Sequence, residues 1–214
     1  MILIVLLSLA FKNEGEVTTQ GYGVFSSYFF ARDNKRLPVD CVQKKLHGIE
    51  ISYPNGLAIF IKKELWDKVG GYDDNLVFGG DDNDLGIKLW IFGYKNYLFS
   101  ETLQIHTGMF ERTNTPKYVN KLKYLIFAHL YTIVKDFGVL NAIITLIGYS
   151  VIALLRATKQ SFVRKSFGPI LSYFVGWFWF VLSLPRAINK RVFVQRYRIR
   201  GDIFLKIKPP VICA

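Results

Sequence analysis

The chain has 214 residues, a formal net charge of +12 and an apolar fraction of 51%, with 16% aromatic residues. That length can bury one core and still leave an apolar, basic surplus, which the sequence concentrates after Lys117. Cys41 and Cys213 are far apart, and His47, His106 and His129 lack ligand spacing, so a zinc site is unsupported and free thiols fit a reducing cytoplasm.

Met1 to Phe11 (MILIVLLSLAF) is apolar, but it is too short to span a bilayer and has no basic flank for a signal peptide. It reads as a buried strand, with a membrane anchor as the alternative. Gly21-Tyr22-Gly23 and the polar stretch Arg32 to Gly48 look like loops, whose basic residues are either solvated or face a phosphate. Asn55-Gly56 precedes a strand-like run from Leu57 to Ile61, and a short helix over Lys62 to Val69 ends at Gly70-Gly71.

After Gly79-Gly80 come Asp81, Asp82 and Asp84, at the start of a helix. Leu85, Leu89 and Phe92 lie at i, i+4 and i+7 on one apolar stripe, Asp84 and Lys88 form an i,i+4 pair, and Gly93 stops the helix before a second strand that ends at His106. Free backbone N–H groups and the positive dipole end partly offset the repulsion among the carboxylates. Carboxylates this close titrate as a coupled set, and one pressed into an apolar wall gains basicity toward the range of a general base. The alternative is an acidic helix cap with two solvated neighbours.

This ordered series resembles the acceptor-side half of a family 2 glycosyltransferase with the GT-A fold. The residues that carry the resemblance are Asn55-Gly56, Val69-Gly70-Gly71-Tyr72-Asp73, Asp81-Asp82-Asn83-Asp84-Leu85, Phe92-Gly93-Tyr94 and His106, roughly a quarter of the chain. The resemblance implies an α/β, Rossmann-like half-domain. It implies Asp82 as general base, removing a proton from an acceptor hydroxyl as that oxygen attacks the anomeric carbon, with inversion. Asp81 stands where the family usually has Glu and would orient, and Asp84 would hold the helix start or pair with Lys88. Gly56, Gly80, Lys88 and Trp90 fall at substrate-binding positions, with Lys88 replacing a common Arg. His106 matches a His that in some relatives ligates the divalent cation or contacts the donor diphosphate.

The family's Asp-x-Asp element, which holds Mg²⁺ or Mn²⁺ against the donor diphosphate, is not found before residue 50. Without that clamp the charge developing on the leaving diphosphate lacks its largest stabiliser. The expectation is a truncated or split enzyme, inactive alone, with the cation held mostly by a missing half or by a separate donor-binding chain.

A boundary near Thr115-Pro116 separates residues 1–115 from a hydrophobic, basic helical region at 116–214. Phe137 to Leu155 and Phe167 to Leu184 are each long enough to cross a bilayer core of ~30 Å. As a spanning hairpin they would put Arg156, Lys159, Arg164 and Lys165 opposite an equally basic second side, which the positive-inside rule disfavours. Two helices lying in the cytoplasmic leaflet avoid that conflict, and Trp177 and Trp179 suit an interface. The basic tail from Arg186 to Lys208 could bind nucleic acid, but beside an apolar module anionic lipid head groups explain it more simply.

The expected protein is a membrane-associated transferase on the cytoplasmic face, taking a nucleotide-sugar donor and a glycan or lipid-linked saccharide acceptor, with membrane lipids as partners and no nucleic acid. The rival is a non-catalytic membrane-associated remnant or scaffold partner.

Overall fold

The computed structural model describes residues 3–13, 16–20, 24–25, 31–32, 36–38, 48–53, 59–106 and 116–202. Gly56, Cys41 and Cys213 lie outside them, as does the side chain of His106. The fold is α/β with a helical region, and it divides into two compact units.

The sheet unit is built around β1 (Leu3–Asn13), β2 (Glu16–Gln20), β5 (Arg36–Pro38), β6 (Glu50–Ile51), β7 (Ile59–Phe60) and β8 (Lys95–His106). β1, the N-terminal apolar run, is an interior strand. It pairs in parallel with β8 on one side; on the other it pairs antiparallel with β7 at Val5 and Leu6 and with β2 from Leu9 to Asn13. A continuous apolar run suits a strand with neighbours on both sides. The β1–β8 register shifts between Leu7 and Ser8, and β8 pairs antiparallel with β6 on its far side. β3 (Val24–Phe25) and β4 (Ala31–Arg32) form a separate two-stranded pair.

Two helices complete this unit, α1 (Lys63–Val69) and α2 (Asp81–Ile91), which follow the predicted spans closely. α2 is fastened from three directions. Trp90 Nε1 donates to the Ile51 carbonyl at 3.0 Å, and Asn96 Nδ2 on β8 donates to both Ser52 O at 2.9 Å and Gly86 O at 3.1 Å. At its C-terminal end, the N–H groups of Ile199 and Arg200 donate to Ile91 O at 2.8 and 3.0 Å, satisfying a carbonyl with no partner inside the helix. Residues 198–202 thus return to the sheet unit instead of extending the basic tail, and Arg198 Nη1 bonds Asp202 at 2.8 Å.

The helical unit comprises α3 (Pro116–Asp136), α4 (Val139–Arg164) and α5 (Gly168–Arg196), together with the loop at 74–81. The loop before the acidic helix belongs to the C-terminal region, because it packs there: Asn75 Nδ2 donates to Tyr131 OH at 3.0 Å. α3 has no counterpart among the two predicted apolar stretches, and α4 and α5 outrun those stretches because their basic ends remain good helix formers.

α3 and α5 run parallel in register. Ser172 Oγ donates to Val119 O at 2.9 Å, Tyr124 and Trp179 pack with ring centroids 5.1 Å apart, and Arg191 and Gln195 reach the C-terminal end of α3. Gly176 makes the close approach possible, since a Cβ there would stand 2.7 Å from Lys123 O. Arg191 donates to Val134 O at 2.5 Å and Phe137 O at 2.7 Å, and Gln195 to Asp136 O at 3.1 Å, so two side chains of α5 take up carbonyls that α3 leaves unbonded.

The polarity of α4 is inverted relative to a soluble core helix. Its buried positions are Thr145, Tyr149, Ala153, Ala157 and Ser161, spaced four apart, whereas Leu140, Ile143, Ile144, Ile147, Val151, Leu154 and Leu155 are exposed. α5 likewise buries Ser172, Tyr173, Gly176 and Phe180 while exposing Leu171, Phe174, Phe178, Val181 and Leu182. Small and polar residues inside with large apolar residues outside is the pattern of helices packed within lipid. Both helices are long and apolar enough to cross a membrane, and only 17% and 28% of their most apolar windows are buried.

Candidate functional site

Local sequence makes the acidic turn. Gly79 and Gly80 both have positive φ, 70° and 84°, so the chain reverses into α2 through conformations that side chains disfavour. Gly80 is also a packing residue, because a Cβ there would sit 2.8 Å from the Ala128 Cβ of α3. This gives the glycine a structural role in the helical unit.

The three carboxylates have different surroundings. Asp84 is fully buried and pairs with Lys88 at 3.2 Å, one helical turn on. Lys88 is itself buried and donates to Gly71 O at 2.5 Å, tying α2 to the turn after α1. The predicted i,i+4 pair thus exists inside the protein, not on an exposed flank. Burial of the pair ties Asp84 and Lys88 together inside the sheet unit. Trp90 is 1% exposed and donates to Ile51 O, a core tie between helix and sheet.

Asp82 is partly exposed, and its Oδ1 accepts the Asn83 N–H at 2.8 Å. That bond uses one of the free donors of the first turn and fixes the carboxylate where the dipole favours a negative charge. Tyr53 follows β6 in the sheet unit and is buried, and its hydroxyl is held well above the ordinary tyrosine range, first by burial and then by the negative charge of Asp82. A phenol kept neutral retains its O–H as a donor at all working pH values. Sequence reasoning missed Tyr53, because the 29-residue separation from Asp82 carries no spacing signal. Asp81 is also partly exposed and falls on the other side of the division between the units.

Gly56 and the His106 side chain lie outside the described residues, so no geometry joins either to Asp82. Among the described residues no three His, Cys, Asp or Glu side chains are placed to hold a metal ion together. No protein-family model matches the chain, and the curated proteins contain no significant match to it.

Proposed function

We propose that this chain carries the acceptor half of an inverting, GT-A-type, Rossmann-like glycosyltransferase, in which Asp82 deprotonates the hydroxyl that attacks the anomeric carbon of a nucleotide-sugar. The observation that carries the reading is the sorting of the acidic turn. Asp84 is paired with Lys88 in the interior, while Asp82 remains partly exposed at a helix start, within electrostatic reach of the buried Tyr53 hydroxyl. The proton moves from the acceptor oxygen to an Asp82 carboxylate oxygen as the new C–O bond forms and the nucleoside diphosphate leaves.

The acceptor is a glycan or lipid-linked saccharide, because the helical unit lies on the cytoplasmic face of a membrane. Parallel packing of α3 and α5 supports a lying rather than a spanning arrangement. Lys121 and Lys123 of α3 fall alongside the stretch of α5 that exposes Phe174 and Phe178, so upright helices would carry those cations to the depth of the acyl chains. Lying flat, the stripes of α4 and α5 enter the leaflet together and the lysines meet head groups.

The test is sugar transfer in native membranes across a panel of nucleotide-sugars. Asp82→Asn should lower turnover by about 10²–10⁴-fold, the usual share of a general base, with membrane binding unchanged. Unaltered turnover would remove Asp82 from that role. No transfer with any donor, together with a co-purifying donor-binding chain, would support the non-catalytic scaffold instead.

A further inference from the structure

The helical unit contains a cleft of about 190 Å³ between the loop and two helices. Asn75 and Phe78 come from the loop, Tyr124 and Phe127 from α3, and Trp179 and Ser183 from α5. Its lining is mainly apolar, with Leu76, Val77 and Ala128 beside the four rings, and it is smaller than the roughly 300–1,000 Å³ of sites that enclose whole small molecules. A cleft of this size and polarity suits a segment of one hydrocarbon chain.

Two cations stand over the same rings. Lys121 Nζ is 4.8 Å from the centre of the Phe78 ring, and Lys123 Nζ is 5.5 Å from the centres of both Tyr124 and Trp179. An ammonium held over an aromatic face is kept at the rim of the cleft while its stem covers apolar surface. Helical spacing puts Trp179 and Ser183 at the edge of the stripe formed by Phe178 and Leu182, both exposed. The cleft is therefore continuous with the apolar surface of α5 and has positive charge at its mouth.

We propose that this cleft binds an anionic phospholipid, with part of one acyl chain among Phe78, Tyr124 and Trp179 and the phosphate held by Lys121 and Lys123. Charge selects the lipid class, since a zwitterionic head group offers the lysines no net charge. The bound lipid would clamp the 74–81 loop onto α3 within the helical unit. The inference rests on the helical unit being membrane-bound, and is independent of sugar transfer.

Trp179 supplies its own probe. The full chain is placed in phosphatidylcholine vesicles doped with phosphatidylglycerol brominated on its acyl chains, and quenching is compared with that from brominated phosphatidylcholine at the same mole fraction. Brominated phosphatidylglycerol should quench more, and Trp179→Phe should abolish the excess. In Lys121→Gln/Lys123→Gln the apparent affinity for the anionic lipid should fall about 30-fold, with the chain still on the vesicle. Equal quenching by the two lipids on a vesicle-bound chain, or an excess that survives the double replacement, overturns the lipid site alone. A chain that does not bind vesicles at all overturns the membrane reading and this inference together.

Discussion

Replacing one member of the Asp84–Lys88 pair probes how α2 is held. Asp84 is fully buried, Lys88 is 4% exposed, and their charges lie 3.2 Å apart. Asp84→Asn or Lys88→Met leaves the other charge in an interior that solvates it poorly, a loss of about 3–5 kcal/mol. At roughly 2–4 °C per kcal/mol for a chain of this length, each single replacement should lower the melting midpoint by roughly 6–20 °C. The double replacement Asp84→Leu/Lys88→Met removes both desolvation costs and should recover most of that loss, since buried pairs exchanged for apolar side chains of similar volume are often neutral or better. Thermal unfolding followed by tryptophan emission suits the purpose, because Trp90 is buried in the same helix. Hydrogen exchange of the α2 amides localises the effect. Single variants that melt with the parent, or a double variant as damaged as the sum of the singles, would show that the pair does not hold the helix.

Gly80→Ala should destabilise the loop, since the new methyl meets Ala128 at 2.8 Å and φ is 84°; adding Ala128→Gly should relieve the clash but not the dihedral strain, giving partial recovery of the melting midpoint. Arg191→Met should cost about 1.5–3 kcal/mol by removing a charged donor from two α3 carbonyls, read as faster exchange at the α3 C-terminus, whereas unchanged exchange would discount the cap. Burial lowers the pKa of His129 to about 4, so the folded state resists the protonation that the unfolded chain accepts near 6.5. Stability should therefore fall as pH drops from about 6.5 through about 4, by at most about 1.4 kcal/mol per pH unit, and His129→Gln should flatten that slope in acid-melting curves.

The apolar run at the N-terminus, the helix over Lys63–Val69, the acidic helix start and the two long apolar helices were legible in the sequence, because each depends on neighbours a few residues apart. The same local rules gave the Asp84–Lys88 pair. Tertiary packing decided that the pair is buried and that Trp90 ties the helix to Ile51. The assignment of the 74–81 loop to the helical unit, the capping of α2 by residues 199 and 200, and the position of Tyr53 near Asp82 depend on pairings tens of residues apart. Such pairings leave no period in the sequence. Hydrophobic periodicity and helix-end chemistry act within a turn or two and so are written locally, whereas solvent exclusion and long-range hydrogen bonding exist only once each unit has packed within itself. That packing is what leaves Asp82 partly exposed within electrostatic reach of the buried Tyr53 hydroxyl and Asp84 sealed against Lys88.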